Sequence, residues 1–335
     1  MAGTMTVWSK ELADHLGSKR YIVLFALIVV LSTMSAYQGA EYIRNRTTAS
    51  FINIFSGAQV GFSFIYLMVF FGPIIGLALG FDAINKERTS GSLSVLLSQP
   101  IFRDSVINGK FLGGVTALSL LTVSTVGIMC GVAIPVLGFG PAVGDVSRIV
   151  LFTLLTVLYL AFWLGLGILF STVTKKTSTS ILMSVATWLF CSIVITIIAT
   201  LVANTLAPIQ IPGMPTGGGM GGGFNRTRVG ELNITRITQS QEYRQAVQRR
   251  YTIQMSIQRI SPANLYDEAA SSILGTSGGG FGFIGPEAGT PFRQLELTQG
   301  LMTSWPQITA IAVALVVCFA ASYMLFLRLE IRAGG

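Results

Sequence analysis

Apolar and polar residues fall along this chain in long blocks, not at the two-residue period of half-buried strands. Six apolar blocks are long enough to cross a bilayer as helices, which takes about 17–25 residues. They are residues 21–37, 61–81, 111–137, 149–173, 181–202 and 308–327. The pattern predicts an all-α polytopic membrane protein with six transmembrane helices. The polar remainder divides the chain into four parts: an interfacial segment at 1–20, five spans within 21–203, an outer region at 204–305, and the last span with its tail at 306–335.

The longest polar interruption in the first half runs from Asp82 to Lys110. Within it, Leu93, Leu96 and Leu97 stand at i, i+3 and i+4 with serines among them, the spacing of a short amphipathic helix. Gly91 permits a sharp break before this helix and Pro100 stops it, which places it at 90–100. Lys86, Glu87 and Arg88 lead in, and Arg103 and Asp104 follow. A short helix with an apolar face and a charged collar, joining two spans, is shaped to be held by another protein. Lying flat on lipid is its other use. The first segment is also amphipathic: Met5, Trp8, Leu12 and Leu16 share one helical face, with Lys10, Glu11 and Asp14 elsewhere. Trp8 favours the headgroup zone.

The second span carries Gly72, Gly76 and Gly80 at four-residue spacing, a stripe that lets another helix approach closely. It packs either within the chain or at a subunit interface. Pro73 should bend this span. The outer region opens on Pro208, Pro212 and a glycine run from Gly213 to Gly223, the composition of a flexible linker. A polar helix follows at 239–260, with Tyr243, Val247, Tyr251 and Met255 on one face, and Pro262 ends it. A second helix at 264–274 runs into another glycine-rich loop, and Trp305 with Pro306 marks re-entry into the membrane. The region reads as a small, mainly helical extracytoplasmic insertion that leans on the membrane domain or on a twin copy.

Composition agrees with the blocks: 51% of residues are hydrophobic and 11% charged, against a usual charged share of about 25%. The net charge of +8 is explained by where the charges lie, so no nucleic-acid partner follows from it. Basic residues set orientation. All six lysines fall in 1–20, 82–110 and 174–178, while the two short loops on the other face hold Arg44, Arg46 and Arg148. Both termini and the 82–110 segment are therefore expected in the cytoplasm of a multi-pass protein of the cell (plasma or inner) membrane. Asn45, Asn225 and Asn233 open Asn-x-Thr sequons, which are candidate glycosylation acceptors. All three fall outside under this topology.

The wording of the polar interruption adds a family. Glu87-Arg88-Thr89-Ser90-Gly91-Ser92-Leu93, then Leu96-Leu97-Ser98-Gln99-Pro100, Arg103 and Gly109-Lys110 resemble the first cytoplasmic loop of ABC-2 type transporter permeases. In that family the loop reads roughly Glu-x-x-x-Gly-Thr-Leu, Leu-Leu, Pro, Arg, Gly-Lys. Ser92 stands where Thr is commoner. Lys10-Glu11-Leu12 and Ser18-Lys19-Arg20 resemble the family's N-terminal elbow, and Ser261-Pro262-Ala263-Asn264-Leu265-Tyr266 resembles its Ser-Pro…Tyr phrase before the last span. The insertion between spans five and six resembles that of the subgroup containing the permease of nitrous-oxide-reductase maturation. The resemblance implies that 90–100 is a coupling helix docking on a nucleotide-binding ATPase. Glu87, Arg88, Gly91, Leu93, Leu96, Leu97, Pro100 and Arg103 would then be the ATPase-coupling residues. It also implies two ATPase copies, a homodimer or a related permease beside this chain, and lipid around it.

Chemistry of the chain's own is absent from the sequence. No Gly-x-x-x-x-Gly-Lys-Ser/Thr occurs, because Phe111 follows Gly109-Lys110, so ATP and Mg belong to the partner subunit. No row of Asp, Glu or His lies within a span to relay protons. Cys130, Cys191 and Cys318 sit in apolar runs without a Cys-x-x-Cys, and His15 is the single histidine. They suit small buried hydrophobes, not a metal site or a catalytic triad. The sequence therefore predicts a non-enzymatic permease, an exporter energised through 82–110. A membrane assembly or scaffold protein without transport is the alternative.

Overall fold

The computed structural model describes residues 2–44, 50–56, 63–91, 102–208, 241–275 and 297–328. Among these the chain is helical, and six helices are long and apolar enough to cross a membrane: Lys19–Arg44, Phe64–Thr89, Arg103–Leu137, Val143–Val173, Thr177–Leu206 and Leu297–Leu327, hereafter spans one to six. Each extends beyond the apolar block that announced it, except that span two begins three residues later. A hydropathy boundary marks where lipid-compatible residues stop, whereas a helix continues as long as its backbone hydrogen bonds do.

The chain forms two compact units, residues 1–189 with 262–335, and residues 190–261. The first begins with an N-terminal helix, Ala2–Leu16. Ser18 turns the chain into span one by donating from its hydroxyl to the His15 carbonyl at 2.8 Å and accepting the Tyr21 N–H at 3.2 Å. Ser63 starts span two in the same way, accepting the Ile65 N–H at 3.1 Å and satisfying one orphan donor of the helix start. Span three ends at Gly138, whose φ of 78° is a left-handed cap.

Spans two and four form the hub. In their apolar centres 67% and 61% of residues are buried, against 17% in span six. The glycine stripe of span two makes this possible. A Cβ on Gly76 would lie 2.7 Å from the Leu160 carbonyl oxygen, and one on Gly80 would lie 2.6 Å from the Leu164 carbonyl oxygen. The two backbones are in contact along the seam, so Gly72, Gly76 and Gly80 pack within the chain. Pro73 lies inside the helix Phe64–Gly80, in a fully helical stretch.

The helix Pro262–Leu274 belongs to the first unit. Its small residues Ala263, Ala269, Ala270 and Ser271 are buried, and they let it settle among spans two, four and six. Tyr266 is fully buried and stacks on Tyr159 of span four, with ring centroids 4.4 Å apart and planes within 13°. Its hydroxyl is 2.9 Å from that of Thr156. Alanine-sized side chains and one satisfied tyrosine allow a buried position for a helix with few large apolar residues. Asp267, beside it, is also buried. Burial, and then the charge of Glu268, push its carboxyl up to about 7.

In the second unit a π-helical turn, Phe190–Val194, leads into the helix Ile195–Leu206. The helix Gln241–Gln258 packs along the latter, within the 239–260 expected for it. Ala199 and Ala203 of Ile195–Leu206 are fully buried. The glycine run 213–223 lies outside the described residues.

Candidate functional site

The polar end of span two, from Asp82 onward, is where charged residues of distant sequence meet. The meeting depends on close packing of the N-terminal helix against span three. A Cβ on Gly109 would lie 2.6 Å from Val7 Cβ, and one on Gly113 would lie 2.8 Å from Glu11 Cβ. The face turned inward is thus the Val7–Glu11 line. Met5, expected on the apolar face, is 66% exposed. The glycine groove, and not the hydrophobicity of the helix, selects the face.

Seated there, Glu11 meets Lys110. The Lys110 Nζ is 2.8 Å from Glu11 Oε1 and 2.7 Å from Glu87 Oε1. Its side chain is 4% exposed, and those of the two carboxylates 11% and 13%. Glu87, expected to face solvent, instead points inward. Two carboxylates on one ammonium satisfy the condition for burying a charge, which is pairing with good hydrogen-bond geometry. Trp8 adds a bond from its indole N–H to Thr116 Oγ1 at 2.8 Å. Beside this cluster Arg20 donates to Asp82 at 2.6 Å and lies over the Phe81 ring, 5.3 Å from its centroid. Burial holds His15 below its ordinary pKa, against the opposing pull of Glu11.

Span four holds the same segment by hydrogen bonds. The backbone N–H groups of Ile84 and Asn85 both donate to Ser171 Oγ at 3.0 Å. The Asn85 amide donates to Thr174 Oγ1 at 2.9 Å, and Asn85 is fully buried. Ser180 donates to the Phe81 carbonyl at 2.7 Å. These serines and threonines satisfy N–H and C=O groups where the helix breaks, which in an apolar setting must find partners. On the return side Val106 and Ile107 pack with Ile84 and with Phe326 of span six, all buried, and Phe319 and Tyr323 lie against them. Both ends of the polar segment are therefore fastened to one place.

Of the expected coupling residues, Glu87 is in the ion cluster, Arg88 is partly buried, and Gly91 has φ +72° with open space around it. That left-handed backbone provides the break read from the sequence. Arg103 is exposed at the start of span three, its Nη1 3.5 Å from the Leu327 carbonyl. Leu93, Leu96, Leu97 and Pro100, and the sequons at Asn45, Asn225 and Asn233, lie outside the described residues. Among the described residues no group of three His, Cys, Asp or Glu side chains could hold a metal. The Glu11–Lys110 pair was missed in the sequence. Its signal was a lysine between Gly109 and Gly113 at the mouth of an apolar run, a position that needs a carboxylate from elsewhere.

The profile of the family described as "ABC-2 family transporter protein" matches residues 5–331. The chain is also similar to the probable ABC transporter permease protein NosY of Pseudomonas aeruginosa, at 34% identity over 125 residues, which is 35% of this chain and 40% of that protein. Similarity to the protein of the same description in Stutzerimonas stutzeri is 31% over 125 residues, 34% of this chain and 40% of that one. The chain thus spans about 40% of the length of these curated relatives. The family match takes in the N-terminal helix, all six spans and the segment whose two ends are fastened together, and on it the chain belongs to the ABC-2 family of transporter proteins.

Proposed function

We propose that this chain is the membrane permease of an ABC exporter, driven by a separate ATPase subunit that docks on residues 82–110. The observation that carries the reading is the convergence of Lys110, Glu87 and Glu11 at one end of that segment, with Ile84, Val106 and Phe326 packed beside them. A docking segment transmits force only if its ends are held. Here they are held to the N-terminal helix, to span four and to span six. Leu93, Leu96 and Leu97 supply the apolar grip for the ATPase, which binds ATP and Mg itself, and Glu87 sets the angle of approach through Lys110. Two ATPase subunits and two permease copies, or this chain and a related one, complete the transporter. Both termini lie on the ATPase side of the cell membrane.

The test is co-purification of the proposed ATPase subunit, using wild type and the Leu96→Ala, Leu97→Ala double variant. Burial of one leucine contributes about 1.5–3 kcal/mol, so the double variant should weaken association by two or more orders of magnitude. Unchanged association would return the segment to a helix lying on lipid. Transport in inverted vesicles decides direction: accumulation inside marks an exporter. ATPase association without movement of any solute would favour the scaffold reading.

A further inference from the structure

Between the N-terminal helix and the adjoining ends of spans one, two and three lies a cavity of ≈210 Å³. Part of its lining is buried and apolar, from Tyr21 and Leu79, and its exposed edge carries Lys10, Asp14 and Lys86. Four basic and four acidic side chains line it in all. With His15 kept neutral at pH 7 by burial, the cavity has no net charge.

The charges are unequally engaged. Lys110 is taken up by Glu11 and Glu87, and Arg20 by Asp82. Among the described residues Lys10 comes no closer than 3.9 Å to a carboxylate, that of Glu11 or Glu87, and Asp14 pairs only with Lys10, at 4.0 Å. Lys86 makes no ion pair among the described residues. Two loosely held cations and one loosely held carboxylate thus face a neutral, amphipathic cavity. A purely anionic ligand would gain from the lysines and lose to the carboxylates. A ligand carrying both charges, a few bonds apart, can gain from both. Ile22 and Val23, which follow the lining residue Tyr21 in span one, are 53% and 64% exposed, apolar surface for a chain attached to such a ligand.

We propose that this cavity receives the headgroup of a zwitterionic phospholipid of the phosphatidylethanolamine class, its phosphate on Lys10 and Lys86 and its primary ammonium on Asp14. The acyl chains leave along Ile22 and Val23. A primary ammonium donates hydrogen bonds to a carboxylate, which a trimethylated ammonium cannot do. The cavity therefore distinguishes ethanolamine from choline lipids. The lipid wedges the N-terminal helix against the spans.

The experiment uses the full chain in nanodiscs of phosphatidylcholine containing equal small fractions of phosphatidylethanolamine and phosphatidylglycerol, with retained lipid read by native mass spectrometry. Wild type should retain phosphatidylethanolamine about tenfold over either other lipid, the scale of two partly exposed ion pairs. Lys10→Ala with Lys86→Ala should abolish retention, and Asp14→Asn should abolish only the preference for ethanolamine over choline. Each variant is checked for an unchanged melting temperature, because Lys10 Nζ also stands 3.9 Å from Glu11 Oε1 and from Glu87 Oε1 of the Lys110 cluster. Equal retention of all three lipids, preference for phosphatidylglycerol, or indifference to the variants would overturn the proposal. So would binding of soluble phosphoethanolamine as tight as that of the lipid, which would make the cavity a solute site.

Discussion

Lys110 Nζ stands 2.7 Å from Glu87 Oε1, across 23 residues of sequence, and the same nitrogen holds Glu11 at 2.8 Å. One ammonium thus ties the polar end of span two to the N-terminal helix. Removing Lys110 leaves two largely buried carboxylates with only the exposed Lys10, 3.9 Å from each, whereas removing one carboxylate leaves the other pair intact. Lys110→Met should therefore cost about 3–5 kcal/mol, and Glu87→Gln or Glu11→Gln clearly less. Thermal unfolding of the three variants in one detergent checks the order. In hydrogen exchange, Glu11→Gln should also loosen residues 84–91, to which Lys110 links it, and this effect should vanish in the Lys110→Met background.

Ser171 accepts two backbone N–H groups, from Ile84 and Asn85. Ser171→Ala strands both at a buried site. At about 1–3 kcal/mol for an unsatisfied group, the variant should melt lower by several degrees, and exchange at 84 and 85 should rise before that of the spans. Ser171→Thr, which keeps the acceptor, is the control.

Gly80→Ala places a methyl against the Leu164 carbonyl and the Gly167 Cα. Backbone cannot step aside as a side chain can, so the cost should be about 1–3 kcal/mol. Gly127→Ala, where nothing lies within 4 Å of an added Cβ, should be neutral or slightly stabilising. Melting temperatures of the pair separate close packing from helix propensity.

Asp267 is buried, with its carboxyl raised to about 7 from an ordinary 3.8. The folded state therefore binds a proton that the unfolded state has already released between pH 4 and 7. Its contribution to stability is fully present below pH 4 and is lost as pH rises through about 7. The melting temperature should fall over that interval and level off above it, and Asp267→Asn should flatten that part of the profile. A profile unchanged by the substitution would show that Asp267 does not set it.

Six spans and the interrupted segment were legible because bilayer length and the polarity of Asp82–Lys110 are carried by single blocks of sequence. The glycine stripe announced a close approach but not its partner. Only the fold says that Leu160 and Leu164 of span four lie opposite. Glu11 was hidden for another reason. Its helix reads as amphipathic with Met5, Trp8, Leu12 and Leu16 on the apolar face, and nothing local reveals that Gly109 and Gly113 will draw in Val7 and Glu11. The buried place of Pro262–Leu274 was likewise invisible to composition, since alanines and serines serve a surface and a tight core equally well. Residue patterns reveal what each helix tolerates; pairings across 60 to 110 residues, such as Arg20 with Asp82 or Thr156 with Tyr266, emerge only from topology.

The glycine seam between spans two and four has a mechanical meaning. Side chains that interlock can slide by changing rotamer, but backbones in contact cannot, so the two spans travel as a single strut. One end of the strut is gripped at Asn85 through Ser171 and Thr174. Tyr159, which carries the stacked Tyr266, lies twelve residues back along span four, about 18 Å at 1.5 Å per residue. A tilt imposed at the first end has no soft joint in which to dissipate before it reaches the tyrosine pair. Displacement at Asn85 thus becomes displacement of the Pro262–Leu274 helix, with spans two and four as the rod between them.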